Sequence, residues 1–257
     1  MRLLCLDVRN SRTTFGVFAD ETLVDTWHVS TDVRRTADEW GLLVTGLLAD
    51  EAARLDGVCV SSTVPAALHD VRAMLAAYFE GVATLVVAPG VKSGLAVLVD
   101  NPREVGTDRV ANAVAAAQLV GGPCIVVDFE TATTFDVVDA QGRFVGGAIA
   151  PGVEASMSAL RDQAAQLRQV EVDRPRSVVA KNTIEALQSG AVYGFAGLVD
   201  GLASRIAGEL GADASELSVI ATGNLDSVVV DECACVTRRE PYLTLLGLRI
   251  IYSRNRP

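Results

Sequence analysis

Apolar and polar residues alternate, or run apolar, over residues 2–8, 12–19 and 22–29, with turn residues between them. Asp20-Glu21 makes a tight connection between the second and third runs, and the pattern predicts three antiparallel strands. Thr36 opens a helical period that continues to about Leu55 and puts Trp40, Leu43, Val44, Leu47 and Leu48 on one face. A short strand over Val58–Ser61 follows, then a helix from Pro65 to about Tyr78, where proline suits the first turn. Leu85–Val87 reads as a strand. Residues 89–106 are irregular and rich in Gly and Pro, too long for a plain connection, and are expected to be a functional loop. A helix is expected from about Asp108 to Leu119.

The pattern then restarts. Cys124–Asp128 is a buried strand, and Thr133–Asp139 and Arg143–Ile149 flank the turn Ala140-Gln141-Gly142. A helix is expected from Pro151 to about Leu167, and a longer helical region over 181–210, interrupted near Gly194 and Gly197. Val219–Thr222 is a last strand, and 242–253 reads as a closing helix. The segment from Asp7 through Thr13-Thr14-Phe15 lies on that from Asp128 through Thr133-Thr134-Phe135. Each has an Asp ending an apolar strand, a short polar loop, Thr-Thr-Phe, a second strand, a turn and a third strand. The loops differ by one residue. A repeated order of elements decides architecture, so the chain is expected to be a duplicated α/β fold divided into halves at 1–113 and 114–257.

The chain has 257 residues, half of them apolar, which excludes a disordered or fibrous class. The opening run Leu3–Leu6 is too short for a signal peptide or a membrane span, and no other apolar stretch approaches bilayer length. The expectation is a soluble, cytoplasmic chain with no membrane partner. Its formal net charge of −10 argues against a broad basic surface for nucleic acid, although local amides, Arg and Mg²⁺ still allow a small anionic substrate. Cys5, Cys59 and Cys124 sit in apolar runs and read as core thiols in a reducing compartment. Cys233 and Cys235 form a lone C-x-C, a weak zinc signal.

A strand-end Asp followed by a tight polar hairpin offers backbone N–H groups and hydroxyls around a small concavity, which suits an anion. Two such loops facing one cleft would clamp a triphosphate, with Asp7 and Asp128 near the phosphates and able to hold Mg²⁺ directly or through water. Either loop alone also reads as an ordinary capped hairpin. There is no G-x-x-x-x-G-K-[ST], no G-x-S-x-G, and His28 and His69 have no triad company. The segment Asp100–Arg109 packs two Asp, one Glu and two Arg other than through any of these motifs, with Gly106 allowing close approach. Two roles fit it: Asp108 taking a proton from an acceptor hydroxyl while Arg109 binds an acceptor carboxylate, or Asp108 capping a helix beside a surface ion pair.

In DNPREVG-x-DR (Asp100–Arg109), IVVDFETATTFDVVDAQGRFVGGAIAPG (Ile125–Gly152) and the stretch from Lys181-Asn182-Thr183 to Gly201, the sequence resembles the type III pantothenate kinases. The resemblance covers nearly the whole chain. It implies the actin-like (ribonuclease H-like) duplicated fold, two mixed-sheet halves around a central cleft. It implies transfer of a phosphoryl group from ATP, with Mg²⁺, to the primary hydroxyl of pantothenate. Asp7, Val8, Arg9, Asn10, Ser11, Arg12, Thr13 and Thr14 match the family's first phosphate loop, with Asp7 an indirect Mg²⁺ ligand, and Thr131 matches an ATP contact. Gly106, Thr107, Asp108 and Arg109 match the pantothenate-binding run, with Asp108 as proton acceptor. Asp128 matches a ligand for K⁺ or NH₄⁺, and Thr183 a pantothenate contact contributed across a homodimer interface. There are departures. Arg9 stands where the loop usually has Gly, Glu130 replaces another Gly, Asn224 replaces a second Gly in Ala221-Thr222-Gly223-Asn224, and Val99 occupies a position often Tyr. Glu130 brings a charge beside other negative charges, at a cost of roughly 3 kcal/mol for a pair some 5 Å apart at an effective dielectric of 20. Three readings follow: a pantothenate kinase, a kinase for another hydroxy acid, or a non-catalytic regulatory homologue.

Overall fold

Two five-stranded mixed sheets organise the chain in the computed structural model, which describes residues 1–163, 170–213, 216–224 and 228–256. In the first, β1 (Arg2–Val8) pairs antiparallel with β2 (Arg12–Ala19), and β2 antiparallel with β3 (Thr22–Ser30). After α1 (Ala37–Leu48), β4 (Gly57–Ser62) returns parallel to β1. After α2 (Pro65–Tyr78), β5 (Ala83–Val86) pairs parallel with β4. The order is therefore β3-β2-β1-β4-β5. α3 (Thr107–Val120) follows a long loop.

The second sheet repeats the plan. β6 (Cys124–Phe129), β7 (Ala132–Val138) and β8 (Phe144–Pro151) form the antiparallel meander, followed by α4 (Val153–Gln163) and α5 (Thr183–Leu210). β9 (Ser218–Gly223) then pairs parallel with β6, and after α6 (Val228–Glu232) the two-residue β10 (Arg238–Arg239) pairs parallel with β9. α7 (Leu243–Arg254) closes the chain. The order β8-β7-β6-β9-β10 matches the first sheet strand for strand. This is the duplication read from Thr-Thr-Phe: Asp7 pairs with Thr14 and Asp128 with Thr134, and the loops differ by one residue.

By its contacts the chain forms two compact units, 1–95 with 100–115 and 243–257, and 96–99 with 116–242. α7 thus belongs with the first unit, where the sequence pattern divides the chain only once, after residue 113. In that unit Leu4, Leu6, Val8, Phe15, Val58 and Val60 point to one sheet face and pack with Trp40, Val44, Val71 and Met74 of α1 and α2. The capping box of Thr36 and Glu39 starts α1, satisfying two terminal N–H groups reciprocally. α1 stops at Leu48, and a 3₁₀ turn covers Ala49–Arg54, so the helix expected to Leu55 is broken where Ala49 turns to φ 46°. α7 lies on the other face: a Cβ on Gly16 would come 2.6 Å from Leu245, and one on Gly57 2.0 Å from the Tyr252 hydroxyl. α3 meets α7 so closely that a Cβ on Gly247 would come 1.9 Å from the Ala111 carbonyl.

In the second unit Ile125, Val127, Phe129 and Phe135 pack with Val199 and Ala203 of α5 and with Val229 and Val230 of α6. α5 runs unbroken over 28 residues. The expected interruption at Gly194 and Gly197 does not occur, because burial of Val192, Ala196, Val199 and Ala203 outweighs the roughly 1 kcal/mol that each interior glycine costs. Pro151 ends β8 and does not open α4, which starts at Val153; the remainder of the helix expected to Leu167 lies outside the described residues. A Cβ on Gly152 would come 2.3 Å from the Glu130 carbonyl, so the bare glycine lets the chain turn against the β6–β7 loop. No described helix is long and apolar enough to cross a membrane.

Candidate active site

Each unit carries the same row of side chains on the sheet face away from its α1/α2 or α5/α6 core. In the first, Thr14, Asp7 and Ser61 lie side by side on β2, β1 and β4. In the second, Thr134, Asp128 and Thr222 lie side by side on β7, β6 and β9. Asp7 and Asp128 are 4% and 2% exposed, so both carboxylates are held inside their units. The strand period of two puts them there: shifting β1 or β6 by one residue would send each Asp to the core face.

The loops after the two aspartates are tied by matching backbone hydrogen bonds. The Arg9 N–H donates to the Arg12 carbonyl (3.1 Å), and the Glu130 N–H to that of Ala132 (3.1 Å). Thr31 donates to Ser11 (3.1 Å) as Gly152 does to Thr131 (3.1 Å), and Thr63 to Val8 (3.0 Å) as Asn224 does to Phe129 (2.7 Å). Among the described residues only Asp20 and Ala49 have positive φ without being glycine. Arg9 and Glu130 therefore occupy ordinary backbone, and neither loop requires glycine on conformational grounds.

The side chains differ. Arg9 turns inward: its Nε donates to Asp7 Oδ2 (2.5 Å), and its Nη2 to Thr244 Oγ1 (2.8 Å). Val8 lies in the core, and the Thr13 hydroxyl shares a hydrogen bond with that of Thr31 (2.8 Å). Thr14 Oγ1 meets His28 Nδ1 (3.1 Å). Asn10, Ser11 and Arg12 form the exposed tip. In the second unit Thr131 is exposed, and Gly223, at φ 84°, lies against Asp128: a Cβ there would come 2.5 Å from Asp128 Oδ1 and 2.6 Å from the Phe129 carbonyl. One carboxylate and one carbonyl beside a bare Cα make an all-oxygen donor set, the kind a hard cation requires.

The run 106–109 opens α3 in the first unit. The Gly106 carbonyl accepts the Val110 N–H (3.1 Å), and the Thr107 hydroxyl shares a hydrogen bond with Ser61 (2.8 Å), fixing the helix start to the end of β4. The Asp108 carboxylate folds back over Gly106, where a Cβ would come 2.5 Å from Oδ1. Glycine is needed at 106 for that approach. Among the described residues Asp108 Oδ1 is buried and accepts no hydrogen bond, a carboxylate oxygen with its accepting capacity unspent. Before this turn, the Asn101 side chain accepts from the Arg103 N–H (3.3 Å) and donates to Glu104 (2.6 Å).

Thr183 stands exposed at the first turn of α5, in the second unit. Asn182 caps that turn by accepting from the Glu185 N–H (2.9 Å), and Glu185 in turn pairs with Arg176 (2.5 Å). Val99 also belongs to the second unit, beside Gly146, in a short segment whose Leu98 N–H donates to the Phe144 carbonyl (2.7 Å). The thiols are poor nucleophile candidates. Burial pushes Cys5 and Cys59 up, and Cys124 up to about 12; burial and then Asp200 push Cys233 and Cys235 up to about 12.

Ser61, Asn112 and Thr244 escape the sequence reading. Ser61 is recoverable by extending the repeat to Val58–Ser62 over Val219–Gly223, which sets Ser61 on Thr222. Asn112 and Thr244 carry no such signal, being single polar residues within helical patterns.

The comparisons agree with this arrangement. The type III pantothenate kinase family matches residues 3–205. The chain belongs to the type III pantothenate kinase family. A type III pantothenate kinase from Nocardioides sp. is 54% identical over 256 residues, covering 99% of this chain and all of the relative. Among solved structures, a Campylobacter jejuni chain described as a Baf family transcriptional activator is similar with a TM-score of 0.62 at 17% identity, covering 98% of both chains. The inorganic polyphosphate/ATP-glucomannokinase of Arthrobacter sp. is similar with a TM-score of 0.53 at 14% identity, covering 99% of both. At such identities the likeness concerns fold alone, and that fold is the actin-like one of the sugar kinases. As a member of this pantothenate kinase family, the chain is an ATP-dependent kinase with a nucleotide substrate.

Proposed function

We propose that the chain transfers the γ-phosphoryl group of ATP to the primary hydroxyl of pantothenate. Asp108 carries the reading: a buried carboxylate oxygen with no hydrogen bond to accept, at the start of a helix within a family match that spans most of the chain. As the acceptor oxygen forms its bond to the γ-phosphorus, Asp108 takes the hydroxyl proton, the bond from that phosphorus to the bridging oxygen breaks, and ADP leaves. Gly106 leaves room for the carboxylate, Thr107 anchors the turn through Ser61, and Arg109 binds the acceptor carboxylate with its guanidinium fork. Thr183 completes the acceptor site from a second copy of the chain. The exposed Val178, Val179 and Ile184 beside it support burial against such a copy.

The exposed tip Asn10–Arg12, the hydroxyls of Ser11 and Thr14, and Thr131 contact the ATP phosphates in this reading. Asp7 has one carboxylate oxygen committed to Arg9, which fits a role toward Mg²⁺ through water better than a direct bond. Asp128 and the Phe129 carbonyl, beside Gly223, fit a monovalent cation such as K⁺ or NH₄⁺. These ions supply neutralisation of phosphate charge when bound.

The test is ADP release with pantothenate and Mg-ATP, with and without K⁺. Turnover with pantothenate is expected, and Asp108→Asn lowers it about 10²- to 10⁴-fold while the circular dichroism is kept. Turnover only with another hydroxy acid moves the acceptor, and absence of turnover with every acceptor defeats the reading.

A further inference from the structure

Arg9 stands where the family pattern has glycine, and its guanidinium is spent inside the first unit. Nε donates to Asp7 Oδ2 (2.5 Å), and Nη2 to Thr244 Oγ1 (2.8 Å). The Thr244 hydroxyl in turn donates a hydrogen bond to Asn112 Oδ1 (2.7 Å). All four residues are at most 9% exposed. The chain of contacts thus runs from the end of β1, through the first turn of α7, to the middle of α3. It reaches α3 beside Ala111, where Gly247 lets the two helices approach most closely. Asn112 is four residues beyond Asp108, so the two lie one above the other on one face of α3. A guanidinium is suited to this because its planar fork donates in two fixed directions, which a lysine ammonium on a flexible stem does not reproduce.

We propose that Arg9 is a positioning residue for phosphoryl transfer: it clamps the Asp7 carboxylate and, through Thr244 and Asn112, fixes the turn of α3 that carries Asp108, without its side chain touching the nucleotide. The inference rests on the reading of Asp108 as the proton acceptor. It assigns an internal function to a side chain whose place in the phosphate loop would otherwise suggest a phosphate contact.

Thr244 decides the matter, because its side-chain hydrogen bonds go to Arg9 and Asn112 and to no group assigned to ATP or the acceptor. Thr244→Val keeps the side chain's shape and removes the hydrogen bonds; Thr244→Ser keeps the hydroxyl. The full chain is assayed as wild type, Thr244→Val, Thr244→Ser, Arg9→Met and the Arg9→Met/Thr244→Val double variant. The readouts are kcat, KM for each substrate, the calorimetric Kd for a non-hydrolysable ATP analogue with Mg²⁺, and the melting temperature. Thr244→Val is expected to lower kcat about tenfold with the analogue's Kd unchanged within about twofold, Thr244→Ser to stay within about twofold of wild type, and the double variant to be no worse than Arg9→Met alone. A wild-type kcat for Thr244→Val overturns the proposal, even if the melting temperature falls, since that is a purely structural role. So do losses that multiply in the double variant, or an Arg9→Met defect confined to the analogue's Kd. If Arg9→Met does not fold, the Val and Ser variants at 244 decide alone by the same criteria. Failure of the underlying reading is seen separately, as a wild-type kcat for Asp108→Asn.

Discussion

The hairpin after Asp7 and the hairpin after Asp128 start from one design and solve a shared problem differently. Both follow a strand that ends in a buried carboxylate flanked by hydroxyls, and three backbone hydrogen bonds correspond between them. At Asp7 a guanidinium is folded in against the carboxylate, and a serine, Ser62, ends the neighbouring β4. At Asp128 the neighbouring β9 ends in a left-handed glycine whose bare Cα presses on the carboxylate. Backbone geometry is thus the conserved part of the duplication, because the strand register cannot shift without exposing a core. Side-chain chemistry around the carboxylate is free to diverge, so one copy sets a guanidinium against its carboxylate and the other a bare glycine.

The largest effect on this contrast is expected from Arg9→Met. It leaves the buried Asp7 carboxylate without its guanidinium, and the unfolding free energy, read from urea denaturation, is expected to drop by about 3–5 kcal/mol. A drop under about 1 kcal/mol means Asp7 does not depend on that pair. Next is Gly223→Ala, which forces φ 84° on an alanine and drives its Cβ into Asp128 Oδ1 and the Phe129 carbonyl. It is expected to cost about 2–3 kcal/mol. Ser62→Ala, at the matching place in the first unit, loses the two hydrogen bonds of the Ser62 hydroxyl, from the Val64 N–H and to the Val64 carbonyl, together worth about 1 kcal/mol. Equal losses at 62 and 223 would erase the distinction between the two copies.

The β2–β3 and β7–β8 turns extend the comparison to pH. Burial raises the Asp139 carboxyl, but hydrogen bonds from the Arg143 side chain and from the Arg143 and Gln141 N–H groups outweigh it and hold the carboxyl below its ordinary value. The Asp20 carboxyl is also held low, by a hydrogen bond and charge from the N-terminal ammonium, at full exposure. A carboxyl depressed in the folded state stabilises the fold above its unfolded pKa of about 3.9, and that contribution is lost as pH falls through the lower folded value. Asp139→Asn is therefore expected to flatten the fall in melting temperature between about pH 5 and pH 2.5, and Asp20→Asn to flatten it less. Parallel acid curves for Asp139→Asn and wild type would contradict this. The smallest effect is at Gly197, which is exposed inside α5 with nothing near the position of a Cβ. Gly197→Ala is expected to stabilise by about 0.5–1 kcal/mol in the same denaturation assay, and a loss would mean another surface packs there.

The repeat of Asp, loop and Thr-Thr-Phe was legible because strand periodicity and a fixed pairing register leave their mark residue by residue. The same holds for the helix start at 106–109, where a glycine and two charged residues stand together. The continuity of α5 was not legible, since two glycines read locally as breaks and only the buried face of the helix reverses that. The end of β8 at Pro151 was misread for a similar reason: proline suits a first helical turn, but the close approach of Gly152 to the Glu130 carbonyl sets where the turn falls. Arg9 read as a loop residue at the phosphates, and nothing in its neighbours in sequence points to Thr244, 235 residues away.

Local order along the chain therefore determined the family, the two α/β repeats, the two strand-end carboxylates and the helix start at 106–109. Only the tertiary structure decided which way Arg9 points, that Thr107 is tied to Ser61, and that α7 joins the first unit. The physical reason is range. Periodicity and turn chemistry act over a few residues and are written in sequence, whereas the partner of a buried polar group is whatever the packing of distant elements brings within hydrogen-bonding distance.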